Sequence, residues 1–506
     1  MDRATLVATI LAPLSTHAVE ISSLPAAVEW VQIRSDIAGD ISAEWLRNYF
    51  SGKLLYSLRS ARSGGEFRGT QAERSKRLLA ASRYYDLIEF EADSDLSSEL
   101  LELIPARKRL ISWRGPAQAA SRLKSLFEET AVPAHSYCMI SNAATTSDGL
   151  QPLLLLNELQ RRDLTAFSEG PCGLWSRLLA PYLGAPFLFG QVNDNGRLGG
   201  ELSVHQFVAD YGFPALRPVR KVFGMVGNRI FQSPSPRLHN AAYRALNYPA
   251  LFLPFHVESF QEFWRELVES PAFCRLGIPI GGFVMVSPHK EAALAVAAHA
   301  SEMARKAGAT NVMVCRNSLW EAHTTDPESI SAIPRDGTLK AAVIGCGGAG
   351  RAVAAALQQA GVEVTLVNRG RERGVYASGL LGLPFMLLSE FLGRNYNLLV
   401  NATPVGKNND CLPFDVDSLN RNTTVVDLAY GAKPTPLVAA VVARGGTAID
   451  GFDVLLTQVR KQFQILSGKK MPDEIGREMV LNGNPGRCGS EEGHLHGDTL
   501  HAMEAC

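Results

Sequence analysis

Leu339-Lys340-Ala341-Ala342-Val343-Ile344, then Gly345-Cys346-Gly347-Gly348-Ala349-Gly350, then Arg351 to Ala360 is the stretch that decides the fold of the second half of the chain. The first segment reads as an apolar strand and the last as a helix, so the glycines stand at G-x-G-x-x-G spacing in strand–turn–helix context. Gly345 permits the tight turn, and Gly347 lets backbone N–H groups approach a pyrophosphate. Gly350 lets the helix sit close on its strand. With Gly348 and Ala349 between them, these residues form a candidate dinucleotide cradle; a purely structural turn is the plain alternative.

The following strand, Val362 to Val367, ends at Asn368-Arg369-Gly370-Arg371-Glu372-Arg373. A carboxylate at this place would hydrogen-bond a ribose 2′-hydroxyl, as NAD requires. Guanidinium groups grip a 2′-phosphate instead, so Asn368, Arg369 and Arg373 predict NADP. The competing reading is a solvated basic turn.

The 506 residues suggest several domains at roughly 100 to 200 residues each. Hydrophobic residues at 46% and charged residues at 20% are globular values, which excludes global disorder. Fifty Lys plus Arg cancel fifty Asp plus Glu. No net field therefore draws the chain to nucleic acid or an anionic membrane, and a small-molecule partner is expected. Eight scattered cysteines show neither a CxxC pair nor zinc-type spacing, so free thiols, a cytoplasmic setting and no metal are expected. Leu6 to Leu14 reads as a first strand rather than a secretory segment, since Asp2 occupies the would-be basic flank. No apolar run approaches the ~20 residues of a membrane span.

Before about residue 215, strand-like runs alternate with helical patterns: Leu6 to Pro13, Glu29 to Asp36, Leu54 to Ser60, Leu87 to Asp93, Arg109 to Arg114, His135 to Asn142, Leu164 to Ser168 and Phe187 to Gln191. Gln71 to Tyr85 and Ala117 to Thr130 carry apolar residues at helical spacing. An even number of β/α units without a glycine loop predicts a (β/α)8 barrel, a TIM barrel, over 1–215. An open doubly wound sheet is the competing architecture. A Pro-containing basic stretch at Pro214 to Lys221 reads as a linker to a second α/β region. That region divides into a substrate lobe (222–335), a Rossmann lobe (336–450) and C-terminal helices (451–481) returning to the substrate lobe. From Asn482 the chain turns polar, and 482–506, with His494, His496 and His501, is expected to be a disordered tail.

Three further segments carry chemistry. Gly227 to Asn240 contains Ser233-Pro234-Ser235-Pro236, two hydroxyls near a helix start. Ser287-Pro288-His289-Lys290-Glu291 supplies a lysine, and Thr324-Thr325-Asp326 a carboxylate. Together with Asn311, the glycine loop, Asn401 to Gly406, Asp427 to Tyr430 and Asp450-Gly451 leading to Gln458, they resemble the shikimate dehydrogenase family in order from about 222 to 470. The resemblance implies NADPH-dependent reduction of 3-dehydroshikimate to shikimate. Ser233 and Ser235 would hold the carboxylate, Lys290 and Asp326 would be the catalytic dyad, and Asn311, Thr325, Tyr430 and Gln458 would contact substrate. Leu428 and Gly451 would join the coenzyme contacts. Two departures stand out: Val286 replaces a family hydroxyl after Gly282-Phe283-Val284-Met285, and Ala322-His323-Thr324-Thr325-Asp326-Pro327 replaces Gly-x-Asn-Thr-Asp-Gly.

The first half resembles type I 3-dehydroquinate dehydratase, as in bifunctional dehydratase–dehydrogenase proteins. Gln32-Ile33-Arg34-Ser35-Asp36, Ser57 to Gly65 and Ser176-Arg177 carry the likeness. It implies an anion pocket at Arg34, Arg59 and Arg177. The family works through a lysine imine assisted by a histidine, yet Arg114 stands at the histidine position and Cys138 at the lysine position. An imine needs an amine at the C-terminal mouth of the barrel. Lys53 and Lys108 precede strands, while Lys76 and Lys124 fall on helices. The expected reading is a shikimate dehydrogenase fused to a barrel that binds without dehydrating; a working bifunctional enzyme and a non-catalytic quinate or shikimate sensor are the alternatives.

Overall fold

The computed structural model describes residues 3–12, 17–193, 201–331, 333, 339–407, 409–431 and 433–481. The polar tail and its histidines lie outside the described residues. The chain divides into two compact units, residues 1–281 and 282–506. No described helix is long and apolar enough to cross a membrane.

In the first unit, eight strands alternate with helices: β1 (Thr5–Ile10), β2 (Val28–Arg34), β3 (Lys53–Ser57), β4 (Leu87–Glu91), β5 (Arg109–Pro116), β6 (Ser136–Asn142), β7 (Leu164–Glu169) and β8 (Phe187–Gln191). Neighbours are parallel, in the order β7-β6-β5-β4-β3-β2-β1-β8. This is the expected barrel. At the β7/β8 seam the Phe187 backbone N–H donates to Thr165 Oγ1 at 3.3 Å. Every residue of β4 and β8 is buried, which explains why these strands read as continuous runs rather than alternating ones.

The helix Gln71–Ala81 starts at a capping box in which Thr70 and Glu73 satisfy each other's backbone N–H groups. Its buried face is Arg74, Leu78 and Ala81. A buried arginine needs a fork of acceptors, and Asp95 supplies it: Nε to Oδ1 at 2.7 Å and Nη2 to Oδ2 at 2.6 Å. Asp95 also accepts the Glu91 N–H, so the pair ties this helix to the end of β4. The first unit continues through β9 (Lys221–Gly227), helix α1 (Ser235–Ala245) and β10 (Ala250–His256), with β9 and β10 parallel. Trp175 of the barrel packs on Phe255 and Phe273, ring centroids 5.3 and 5.8 Å apart.

In the second unit, β11 (Ile280–Met285) runs antiparallel to β13 (Val312–Arg316), and β13 antiparallel to β14 (Leu319–His323). The short β12 (His299–Ala300) is parallel to β14. Helices α2 (Lys290–Ala295) and α3 (Glu302–Ala307) precede β13. A six-stranded parallel sheet follows: β15 (Lys340–Ile344), β16 (Glu363–Asn368), β17 (Phe385–Leu387), β18 (Leu398–Asn401), β19 (Thr424–Asp427) and β20 (Thr447–Ile449). Its order β17-β16-β15-β18-β19-β20 reverses between β15 and β18, the switch point where open α/β sheets bind ligands. Ala341 and Val343 enter the core on one face, Ala342 and Ile344 the core on the other, so β15 has no solvent face. Helices α4 (Gly348–Gln359), α5 (Arg371–Leu381) and α6 (Gly451–Ser467) complete the described frame of this site. Among the cysteines, 138, 172, 274 and 346 are free as expected. Cys411 is disulfide-bonded, which departs from that expectation.

Replacing Asp95 with alanine leaves the Arg74 guanidinium buried without its fork. The expected cost is about 3–5 kcal/mol, read as a lower melting midpoint for the barrel; an unchanged midpoint would contradict the clamp.

Candidate functional sites

Lys290 opens α2 and Asp326 opens a one-turn 3-10 helix, Asp326–Ile330. The Lys290 ammonium donates to Asp326 Oδ2 at 2.8 Å. The other carboxylate oxygen, Oδ1, accepts from Asn311 Nδ2 at 3.1 Å and Gln458 Nε2 at 3.4 Å. Two amides thus orient one oxygen and leave the second for the amine. Asn311 is itself locked: its Oδ1 accepts the Thr325 N–H at 2.8 Å, and its Nδ2 also donates to Thr325 Oγ1 at 2.9 Å. Asp326 is 3% exposed and Thr325 1%, while the Lys290 side chain keeps 18% exposure, so the amine is the part of the cluster that a ligand can reach.

The glycine loop stands against this cluster. Gly345 has φ of +104°, a left-handed conformation that favours glycine. A Cβ on Gly350 would lie 1.8 Å from the Gly345 carbonyl oxygen, and one on Gly348 would lie 2.8 Å from Ala309 Cβ and 3.3 Å from Lys290 Cδ. Gly347 faces open space within 4 Å, leaving room for a phosphate at the α4 N-terminus. Asn368 closes the loop from β16, accepting the Cys346 N–H and donating to the Gly370 carbonyl. Arg369, Arg371 and Arg373 are exposed, and none forms an ion pair among the described residues. This donor set fits a 2′-phosphorylated dinucleotide. Below it, Asp427 is buried among Asn401, Ala429 N–H and Thr435; burial raises its carboxyl above the ordinary range. Gly451 begins α6 where a Cβ would strike the Ala429 carbonyl. Leu428 and Tyr430 flank Ala429, half-buried, with Tyr430 against Phe452 and the Lys407 ammonium 4.5 Å over its ring.

Ser233 and Ser235 belong to the first unit. The Ser233 hydroxyl donates to Ser235 Oγ at 3.2 Å, and the Ser235 N–H donates to Ser233 Oγ at 3.3 Å. Ser235 is buried at the first residue of α1. Val286 is half-buried just past β11 and carries no polar group.

The barrel mouth gathers Arg34, Arg59 and Arg177 around one cavity, and adds Arg114. Arg34 is engaged by Asp36 at 2.7 and 2.9 Å. Arg114 donates to Glu169 at 2.7 Å and lies 3.5 Å from Glu89; Arg59 lies 3.7 Å from Glu89. Arg177 stacks over Phe167, and the buried Nε atoms of Arg59, Arg114 and Arg177 have no hydrogen-bond partner. Burial and the neighbouring Arg114 lower the Arg59 guanidinium to about 10. Burial alone would raise the Glu89 carboxyl, but Arg59 and Arg114 outweigh it and hold that group far below the ordinary range. Cys138 is 1% exposed; burial and then the Glu89 carboxylate push its thiol up to about 12. It is neither an amine nor a thiolate. Lys53 lies over Trp30 at the start of β3, Lys108 donates to the Ser82 and Tyr85 carbonyls before β5, Lys124 pairs with Glu158 on a helix, and Lys76 is exposed on another. No described lysine of the barrel reaches its C-terminal mouth.

Several participants escaped the sequence reading. Gln462, one turn after Gln458, is 4% exposed and donates to Thr325 Oγ1 at 3.4 Å; the i, i+4 spacing signals that both amides share a face. Glu89, in the middle of β4, and Glu169, at the end of β7, pair with residues far away in sequence, so no local pattern marks them.

Two outcomes follow from the barrel's electrostatics. At pH 8 iodoacetamide should label exposed Cys274 and leave Cys138 unmodified, as read by peptide mass spectrometry. Glu169 is brought down to about 2 because Arg114, Arg59 and Arg177 together outweigh burial. A depressed carboxyl stabilises the fold above its unfolded value, 4.5, and loses that contribution as pH falls towards 2. Acid should therefore weaken the barrel across that window, and Glu169→Gln should flatten the dependence.

Two family models match: the shikimate dehydrogenase substrate binding domain over residues 225–313, and type I 3-dehydroquinase over residues 6–214. The shikimate dehydrogenase (NADP(+)) of Thermococcus kodakarensis is 31% identical over 271 residues, 52% of this chain and 97% of that protein. That of Paramagnetospirillum magneticum is 33% identical over 279 residues, 52% and 98%. The chloroplastic bifunctional 3-dehydroquinate dehydratase/shikimate dehydrogenase of Arabidopsis thaliana is 26% identical over 459 residues, covering 83% of this chain and 74% of that one. With the dyad, its amide supports and the glycine loop in one unit, and a type I 3-dehydroquinase match ahead of it, the chain belongs to the shikimate dehydrogenase family.

Proposed function

We propose that the protein is an NADP-dependent shikimate dehydrogenase, interconverting 3-dehydroshikimate and shikimate, whose barrel binds an anionic ligand without dehydrating it. The observation that carries this reading is the Lys290–Asp326 contact at 2.8 Å, built against the glycine loop through Gly348. NADPH supplies the hydride when bound. The protein's residues handle the proton: the Lys290 ammonium hydrogen-bonds the ketone oxygen and donates a proton as that oxygen becomes a hydroxyl. In the oxidative direction the free amine takes the proton back. Asp326, its Oδ1 held by Asn311 and Gln458, keeps Oδ2 aimed at the amine throughout.

By the family resemblance Ser233 and Ser235 are the candidates for the substrate carboxylate; in the second unit half-buried Tyr430 and Gln458 take polar groups of the substrate, while buried Asn311, fixed by Thr325, acts by holding Asp326. Arg369 and Arg373 grip the 2′-phosphate of the coenzyme, with the pyrophosphate at Gly345 to Gly350. At the barrel mouth Arg59, Arg114 and Arg177 each keep a buried Nε–H with no hydrogen-bond partner among the described residues, which supports carboxylate binding. The buried neutral thiol of Cys138 and the remote lysines support the absence of imine chemistry.

Shikimate with NADP should give NADPH absorbance. Lys290→Met and Asp326→Asn should lower kcat by roughly 10²–10⁴ and also lower the melting midpoint, since each strands a polar partner in the Asp326 network; a wild-type protein without turnover would overturn the reading. Exchanging Arg369 and Arg373 for alanine should raise the KM for NADPH and leave that for NADH unchanged. Borohydride added with 3-dehydroquinate should leave the protein mass unaltered, whereas a trapped adduct would restore the bifunctional alternative.

A further inference from the structure

Arg351, the residue after the glycine loop, is fully buried at 0% exposure. Its guanidinium serves four elements at once. Nη1 donates to the Cys346 carbonyl inside the loop at 3.2 Å; Nε donates to the Ala307 carbonyl at 2.7 Å and Nη2 to the Gly308 carbonyl at 3.3 Å, at the C-terminus of α3. Nη2 also donates to Glu291 Oε1 at 2.7 Å, and the group lies over the Tyr376 ring of α5. Glu291 is the residue after Lys290, on α2, and is the one carboxylate paired with Arg351 among the described residues. The Lys290 carbonyl in turn accepts the Thr310 N–H at 3.0 Å, two residues beyond Gly308.

One buried cation is therefore bonded both to the loop that cradles the coenzyme and to the residue adjoining the amine that moves the proton. Its planar fork allows this; a lysine ammonium, a point donor on a flexible stem, could not meet Cys346, Ala307 and Glu291 in fixed directions. Hydride transfer is sensitive to placement, and an error of about 1 Å at a reacting group can cost on the order of 100-fold in rate. We infer that the Arg351–Glu291 pair is a positioning device that sets Lys290 in register with the glycine loop. This rests on the dehydrogenase reading given above. Arg351 touches neither substrate nor the proton path; it acts through α2 and the loop.

The test uses the full chain carrying Glu291→Gln, which removes the counter-charge from a half-exposed position, and separately Arg351→Lys. Wild-type turnover of shikimate with NADP establishes the dehydrogenase reading by itself. In the Glu291→Gln variant, kcat should fall at least tenfold. The KM values for shikimate and NADP should stay within about twofold. The primary isotope effect with carbon-deuterated shikimate should rise above the wild-type value, because hydride transfer becomes slower relative to release. Without coenzyme, hydrogen exchange should speed up in both α2 and the segment Gly345 to Gln359. A kcat within twofold of wild type, a fall in kcat with an unchanged isotope effect, or faster exchange confined to one of the two segments would each overturn the inference. Arg351→Lys should reproduce the Glu291→Gln pattern; should it fail to fold, Glu291→Gln still decides.

Discussion

A carboxylate taken almost wholly out of water must have its lone pairs met, and the way Asp326 meets this demand organises the second unit. Two side-chain amides, from Asn311 and Gln458, occupy one oxygen, and the Lys290 amine occupies the other. Each partner comes from a different element: the start of α2, the turn before β13 and the middle of α6. The carboxylate can be buried only when all three are in place. Conversely, the three elements converge only if the carboxylate is there, since removing one member of such a network leaves polar groups stranded.

The barrel answers the same problem differently. Its mouth gathers arginines whose charges are balanced by Glu89 and Glu169. Arg114 is the link, touching both acids. Once a guanidinium stands there, Glu89 is tied to it, and the buried thiol of Cys138 beside that carboxylate stays neutral. The charges at the mouth are thus neutralised largely within the protein, on the strand order of the barrel.

How legible this was depended on the range of the interaction. The strands of the barrel were readable because burial on both faces writes continuous apolar runs, and the coenzyme loop because glycines are forced by steric limits on neighbouring backbone. The dyad was readable only through motif resemblance: Lys290 and Asp326 are 36 residues apart, and nothing in either segment alone predicts their contact. Gln462 had a signal, its spacing from Gln458. Arg351 had none, because a single arginine at the start of a helix looks like any solvated residue until its burial is seen. The Arg34–Asp36 pair, close in sequence, engages an arginine expected to be available for an anion.

Sequence alone determined the order of elements, the place of the glycine turn and which strands and helices carry the described lysines of the barrel, because these follow from local sterics, periodicity and residue identity. Only the tertiary structure decided which charges neutralise which. The acids that pair with Arg59 and Arg114, the division of the Asp326 oxygens, and the counter-ion of Arg351 are all set between elements distant in the chain. Electrostatic partnership depends on distance and burial in space, and neither is written in any one segment.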